Sequence, residues 1–329
     1  MGAHAASHAR VSALVERLGI GPWRLAEVEA AGWTRKQIRW AVDNGRLARP
    51  SRGLVAPVDV AGEALLVQRC LAALAVAPRG SAVSHRTASE LDRLWLPQGI
   101  DDLVHLTCPG IPDRDDHGVR LHGSALDTRW VDDRHGMPVS VTERAAVDIA
   151  RGRAFDQALM VLDSAARALV IAEAGDDRVL RDPSRRSPYA DRARERLSLA
   201  YDSVAGWPGT RVVRLALPYV DPCSESPFES SSRGHILRSR VPPPELAVPL
   251  RGASGKRYFA DFLWRQHRLI GEADGWSKYR TGIATRDALR AERERQRDLE
   301  AAGWRFVRWD PADPPRVVIA RIAAALGLV

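Results

Sequence analysis

Cysteine is scarce in this sequence: its 329 residues include only three, and these lie far apart. Cys70, Cys108 and Cys223 are odd in number and lack metal-ligand spacing, which argues against a disulfide framework and a cysteine-based zinc site. The sequence has no run of about 18 apolar residues, and its first residues lack the apolar core of a signal peptide. We therefore expect a cytoplasmic protein with reduced thiols and no membrane contact.

Lysine is also scarce, since only three of the 49 basic residues are lysines. Basic charge in this chain is mostly arginine, so a lysine close to acidic residues is notable. The net charge of +8 is concentrated at the two ends, with +4 in residues 1–60, −1 in residues 61–220 and +5 in residues 221–329. A basic excess in two separate parts of a chain suits an anionic polymer better than a small acidic ligand.

The length and the pattern of predicted elements indicate a mixed α/β (α+β) protein with more than one domain. A polar stretch rich in helix-breaking residues, 175–188, is typical of a linker. We predict four segments: a winged-helix DNA-binding domain at residues 1–60, a small α/β middle domain at 61–175, a helical linker at 176–220 and a C-terminal α/β domain at 221–329.

Residues 11–58 have the pattern of three helices followed by a β-hairpin. The first helix is expected at 11–18, Pro22 is expected to open the second, and Thr34 with Gln37 forms a capping box for the third. Three helices and a basic hairpin make a winged helix, whose third helix can enter the major groove of DNA. Winged helices also serve as protein–protein modules, so both alternatives stay open. The residues expected to contact DNA are Arg35, Lys36 and Arg39 on the helix and Arg46, Arg49 and Arg52 on the hairpin.

The middle segment is predicted to alternate helices and strands, and it contains four histidines. Their spacing matches no common metal-ligand pattern, so we expect isolated surface histidines or hydrogen-bonded ones. These residues are His85, His105, His117 and His122. The predicted helices are 63–76, 84–91, 142–150 and 155–171, and the predicted strands are 101–108 and 119–122.

The stretch 257–279 is where we expect the chemistry of the chain. It has the aromatic and branched residues of two β-strands around a polar turn at 265–268. Glu272 and Asp274 are two apart and therefore share a strand face, and a turn centred on residues 266 and 267 places Asp261 opposite Glu272. Carboxylates this close repel each other unless a cation binds between them, and Mg²⁺ is the natural candidate. The alternative is a hairpin edge whose acids face water.

The elements around this hairpin predict a mixed sheet with helices on its faces. Ser226 with Glu229 forms a second capping box, and the predicted order from there is α-β-β-β-α-β-α. The segment has no GxGxxG and no GKS/T loop, so we do not expect a nucleotide-binding fold.

This order, with Asp261-Phe262 on the second strand and Glu272-x-Asp274-Gly275 on the third, resembles the restriction-endonuclease-like nucleases, whose signature is P-D…(D/E)-x-K. Arg295 and the ending Gly303-Trp304…Val307-Arg308 are similar to the branch related to very-short-patch-repair endonucleases. The resemblance covers residues 221–329 and implies an αβββαβα nuclease domain that hydrolyses phosphodiester bonds in DNA. It implies Asp261 and Glu272 as ligands of Mg²⁺ or Mn²⁺, and Lys278 or Arg295 as the cation that stabilises charge on the transferring phosphate.

Two positions depart from the nuclease pattern or have a second explanation. The family has its lysine two residues after the second acid, and this sequence has Asp274 there. One alternative is that Lys278, four residues further on, takes the place of that lysine; the other is that Asp274 is a third ligand or a structural acid. Glu229 matches an additional acid that the family places near the metal, but as the last residue of a capping box it can equally satisfy a backbone amide.

The N-terminal 175 residues are similar to antitoxins of the abortive-infection AbiE type. This resemblance implies the alternative function, a non-catalytic DNA-binding antitoxin or transcriptional regulator with a degenerate nuclease fold. The expected partners are DNA together with a cognate toxin or a second copy of the chain. The similar residues are Gly45-Arg46-Leu47, Arg52-Gly53-Leu54-Val55-Ala56, Ser84-His85 and Pro138-Val139-Ser140-Val141-Thr142-Glu143-Arg144.

Overall fold

The computed structural model describes the backbone of residues 2–273 and 286–328 and the side chains of residues 9–273, 287 and 290–328. The described residues form two compact units. One combines Met1–Arg93 with Gly99–Val141, and the other combines Leu94–Gln98 with Thr142–Val329. The four segments drawn from the sequence stay a prediction, and the observed units divide the chain within the segment predicted as the middle domain.

The first unit begins with a winged helix, as the sequence predicted. Leu14, Val28 and Ile38, one from each of the three helices, are buried in one core. The capping box forms, since the Gln37 amide donates to the Thr34 hydroxyl at 3.3 Å and the Thr34 amide donates to the Gln37 side chain at 2.9 Å. The elements are α1 (Gly2–Leu18), β1 (Trp23–Arg24), α2 (Leu25–Ala30), α3 (Arg35–Asp43), β2 (Leu47–Ala48) and β3 (Leu54–Pro57), with sheet order β1-β3-β2.

Two predictions for this region were wrong. Pro22 does not open the second helix, because Trp23 and Arg24 form a strand paired with the hairpin, and α2 begins only at Leu25. The Trp23 side chain is buried in the winged-helix core, which favours the strand over a helical turn. The first helix also begins at Gly2 rather than at residue 11.

The rest of the first unit is a six-stranded mixed sheet with two helices. The strands predicted at 101–108 and 119–122 are confirmed, whereas four others were missed: one has only two residues, two are polar, and the fourth, Met137–Ser140, contains a proline. The helices are α4 (Gly62–Leu74) and α5 (His85–Leu91). The strands are β4 (Ala82–Val83), β5 (Val104–Thr107), β6 (Arg114–Asp116), β7 (Val119–His122), β8 (Val131–Arg134) and β9 (Met137–Ser140), in the order β6-β7-β5-β4-β9-β8.

The second unit opens with helices that pack around a buried ion pair. Arg233 donates to both oxygens of Asp163 at 2.6 and 2.7 Å, and both side chains are buried. The linker predicted at 175–188 was partly wrong, because a 20-residue helix begins inside it at Pro183, with the Asp182 side chain capping its first amides. The helices are α6 (Thr142–Ala150), α7 (Phe155–Ala174), α8 (Pro183–Asp202), α9 (Thr210–Ala216) and α10 (Pro227–Leu237).

A four-stranded sheet completes the second unit and confirms the predicted αβββαβα order among the described residues. Its first two strand pairs are antiparallel and its last pair is parallel. Apolar side chains of α10 and of the helix Pro315–Leu326 cover one face, and Leu299 packs against the other. The elements are β10 (Glu245–Arg251), β11 (Arg257–Trp264), β12 (Leu269–Ala273), α11 (Arg286–Ala301), β13 (Arg305–Trp309) and α12 (Pro315–Leu326), with sheet order β10-β11-β12-β13. Among the described helices, none has the length and apolar character to cross a membrane.

Candidate functional site

Strand pairing places the predicted acids side by side in the sheet of the second unit. Phe262 of β11 is opposite Gly271 of β12, so Asp261 and Glu272 occupy the next opposite positions, as the turn position predicted. On its other side, Glu272 is in register with Arg308 of the parallel strand β13. Three neighbouring strands therefore contribute an aspartate, a glutamate and an arginine to one row across the sheet.

Asp261 is in an environment that disfavours its ionised form. The pKa of Asp261 is raised to about 8, mainly by burial and in addition by the nearby carboxylates of Glu229, Glu272 and Glu225, while the Ala273 backbone amide acts in the opposite direction. None of the ion pairs among described residues includes Asp261. A carboxyl group surrounded by other carboxyl groups is either protonated or bound to a cation.

Glu229 has the capping role that the sequence allowed. Its carboxylate accepts from the Glu225 amide at 2.8 Å and from the Ser226 hydroxyl at 2.9 Å, and its own amide donates to that hydroxyl at 3.1 Å. Its charge nevertheless reaches Asp261, whose pKa it raises. The cap is therefore observed, and the role of Glu229 as an additional acid near a metal stays a prediction.

Glu272 is held by two arginines. It is 4% exposed. It accepts from Arg295 of α11 and forms an ion pair with Arg308 of β13 at 2.5 Å. Arg295 lies one turn before the buried Leu299, which turns the arginine towards the sheet. Burial raises the pKa of Glu272, and the two guanidinium groups oppose this rise.

Arg308 belongs to this site although the sequence offered it only as part of a family ending. Its guanidinium also contacts Glu292 at 3.0 Å, and Arg295 contacts the same carboxylate at 2.8 Å. The pairing of β12 with β13 brings Arg308 to Glu272 across 36 positions of sequence, and no local pattern indicates that pairing. Asp274 and Lys278, predicted as site residues, lie outside the described residues.

The donor set suits a hard cation in part. Asp261 and Glu229 provide carboxylate oxygens, which Mg²⁺ and Mn²⁺ prefer. Glu272 would provide another only after losing its contacts with the two arginines. Within residues 9–273, 287 and 290–328, no group of three or more histidine, cysteine, aspartate or glutamate side chains has the geometry of a metal site.

The predicted DNA-contacting residues form an exposed basic surface on the winged helix. Lys36 and Arg39 are exposed on α3, next to Trp40, which is 46% exposed. Arg35 is also exposed and forms an ion pair with Glu29 at 2.7 Å. On the hairpin, Arg49 and Arg52 are exposed and Arg46 is half-buried.

Three of the four histidines meet in the first unit as hydrogen-bonded and stacked rings, which is the second of the two alternatives expected from the sequence. His85 and His122 stack with ring centroids 3.6 Å apart, and a ring nitrogen of His122 lies 3.0 Å from one of His105. His105 in turn contacts Asp101 at 3.0 Å, and burial lowers the pKa of His105. The parallel pairing of β5 with β7 brings His105 and His122 together. The remaining histidine, His117, lies in the turn after β6 and contacts Asp116.

Comparisons with known proteins give partial support to the resemblances drawn from the sequence. Residues 10–58 match the family model described as transcriptional regulator, AbiEi antitoxin, which bears out the antitoxin resemblance for those residues. The nuclease resemblance of residues 221–329 stays a prediction.

Longer similarities are to proteins of Mycobacterium tuberculosis. Two uncharacterized proteins, MT2308 of strain CDC 1551 / Oshkosh and Rv2248 of strain ATCC 25618 / H37Rv, are each 29% identical over 278 residues, or 83% of this chain and 89% of theirs. The crystal structure of the RV2827C protein from the same species is 19% identical, with a TM-score of 0.35 over 64% of this chain and 80% of that one.

Proposed function

We propose that this protein is a metal-dependent DNA endonuclease and that its N-terminal winged helix delivers it to duplex DNA. The observation that supports this most is the position of Asp261. It is a carboxyl group placed against Glu229 and Glu272, and its pKa is raised to about 8. A divalent cation would remove the repulsion among these carboxylates and allow Asp261 to ionise at neutral pH.

Each residue of the candidate site then has a chemical role. Asp261 and Glu272 would hold Mg²⁺ or Mn²⁺, with Glu229 as an additional acid next to them. A cation bound there supplies a water of lowered pKa and neutralises charge on the phosphate under attack. Arg295 contacts Glu272, and its guanidinium would stabilise charge on the transferring phosphate. Lys278 is the other cation proposed for this role.

The basic surface of α3 and the hairpin would bind the DNA. Lys36 and Arg39 project from the exposed side of a helix whose buried side holds Ile38 and Ala41. In a winged helix this exposed side faces the major groove, and the hairpin arginines lie near the phosphate backbone. The protein would meet this DNA in the cytoplasm.

A second function, a DNA-binding regulator without catalysis, is favoured by two observations. The matched family model describes antitoxin regulators, and its 49 matched residues include all of α2 and α3. Glu272 is already neutralised by Arg295 and Arg308, as it would be in a purely structural ion-pair cluster. In that case the sheet is a degenerate nuclease fold, and a cognate toxin or a second copy of the chain is the partner.

Incubation with DNA separates the two functions. Plasmid and single-stranded DNA are incubated with the full chain in Mg²⁺, in Mn²⁺ and in chelator, and DNA binding is measured in parallel. The endonuclease cuts in the presence of the divalent cation and stops when the chelator is added. A regulator binds the DNA equally well in all three conditions and leaves it uncut.

A further inference from the structure

Two guanidinium groups and two carboxylates of described residues contact one another beside Asp261. Arg295 and Arg308 each contact both Glu272 and Glu292, at 2.8 and 3.0 Å for the bonds to Glu292. The formal charges of these four side chains balance. Asp261, one strand away from Glu272, has no place in this cluster among the described contacts.

The members of the cluster differ in their access to solvent. The side chain of Glu272 is 5% exposed, whereas those of Arg295 and Arg308 are 21% and 33% exposed. An anion from solution therefore reaches the arginines more easily than it reaches Glu272. Guanidinium groups bind carboxylate and phosphate oxygens with the same forked geometry, so a phosphate can replace a carboxylate on them.

The cluster also opposes cation binding in its present arrangement. A divalent cation at Asp261 and Glu272 would lie close to two guanidinium groups, and like charges at that distance repel. A phosphate on the arginines would neutralise them and release the Glu272 carboxylate towards the cation. Each of the two ligands would then favour binding of the other.

We propose that Arg295 and Arg308 bind a phosphodiester phosphate of DNA, and that Glu272 leaves these arginines for the divalent cation when the phosphate arrives. DNA and cation binding are then positively coupled, and the site is assembled only on its substrate. This inference rests on the proposed nuclease function. It assigns to Arg308 a role in the site that the sequence did not indicate.

A calorimetric titration of the full chain with Mn²⁺ tests the coupling between DNA binding and cation binding without measuring cleavage. The titration is made with and without a short duplex that gel electrophoresis shows to remain uncut, and titration of the duplex alone is subtracted. We expect DNA to raise the Mn²⁺ affinity of the wild type by about tenfold, within the usual range of coupling between two sites. Arg308→Gln should bind Mn²⁺ several-fold more tightly than the wild type without DNA, and DNA should add little.

Three further variants make the outcome decisive. Arg290→Gln removes an exposed arginine of α11 that pairs with Glu294, and it should behave as the wild type. Arg308→Lys keeps one positive charge, so its Mn²⁺ affinity without DNA should lie between those of the wild type and Arg308→Gln. It replaces the glutamine variant if that variant does not fold. Asp261→Asn should lose most Mn²⁺ binding in both conditions.

Other outcomes would overturn the inference, and they differ from failure of the proposed function. A wild type whose Mn²⁺ affinity is the same with and without DNA has no coupling. In a second outcome, DNA raises the Mn²⁺ affinity of the wild type, but without DNA Arg308→Gln and Arg308→Lys bind Mn²⁺ no more tightly than the wild type. The coupling would then come from phosphate oxygens that bind the cation directly, without a role for the arginines. Mn²⁺ binding that Asp261→Asn leaves intact would instead overturn the proposed metal site.

Discussion

At the residue scale, Asp261 and Glu272 are equivalent by position and opposite by environment. They are neighbours across β11 and β12, yet Glu272 has two arginine partners, and Asp261 has carboxylates around it. The sequence indicated that the two acids face each other, because the turn position fixes the pairing of a hairpin. It could not indicate their different partners, since Arg295 and Arg308 come from elements further along the chain.

This environment predicts a pH dependence of stability that belongs to Asp261. Its pKa is about 8 in the folded protein and 3.8 in its ordinary state, so between these values the folded protein holds a proton that the unfolded chain has released. The free energy of unfolding contributed by this group therefore falls as pH rises from about 4 to about 8. Asp261→Asn should remove that fall.

Urea unfolding in chelator at several pH values across this range measures this pH dependence of the free energy of unfolding. The quantity of interest is the difference between the wild type and Asp261→Asn, because other titrating groups contribute equally to both proteins. As pH rises, Asp261→Asn should become steadily more stable relative to the wild type. Parallel pH profiles for the two proteins would show that Asp261 has an ordinary pKa.

At the element scale, the third helix of the winged helix depends on its capping box. Thr34→Ala removes the hydroxyl that accepts from the Gln37 amide and should lower the free energy of unfolding by about 1 kcal/mol. Thr34→Ser keeps the acceptor and is the matched control. Urea unfolding followed by tryptophan fluorescence compares the three proteins, and equal losses in both variants would mean that the methyl group of Thr34, rather than its hydroxyl, stabilises the helix.

The elements themselves could be predicted where local signals were strong. The capping boxes at Thr34 and Ser226 located α3 and α10, and the aromatic hairpin located β11 and β12. Signals failed where tertiary contacts determine structure. The two-residue strand at Trp23 exists because the hairpin pairs with it, and the histidine cluster forms because β5 and β7 are parallel neighbours.

At the scale of the whole molecule, the uneven charge predicts how the protein meets DNA. Binding through Lys36 and Arg39 should weaken with salt, and each phosphate contact should contribute about 0.9 to the slope of the log–log plot. The double variant Lys36→Ala/Arg39→Ala should therefore have a slope smaller by roughly 2 units if both residues contact phosphates. Arg17→Ala, an exposed arginine on α1, is the control.

Fluorescence anisotropy with the full chain and a labelled duplex gives these slopes. Binding that is independent of salt, or a double variant with the slope of the wild type, would indicate that α3 contacts another protein instead of DNA.

The proposal that the carboxylates of the second unit form a cation site for DNA cleavage is tested by cleavage assays of matched variants. The wild type, Asp261→Asn and Glu272→Gln are incubated with plasmid DNA in Mg²⁺ and in Mn²⁺, and their DNA affinities are measured by anisotropy. We predict cation-dependent cleavage by the wild type, its loss in both variants, and, in chelator, no loss of DNA affinity in either variant. Full cleavage by both variants, or a wild type that binds DNA and never cuts it with either cation, would contradict the claim.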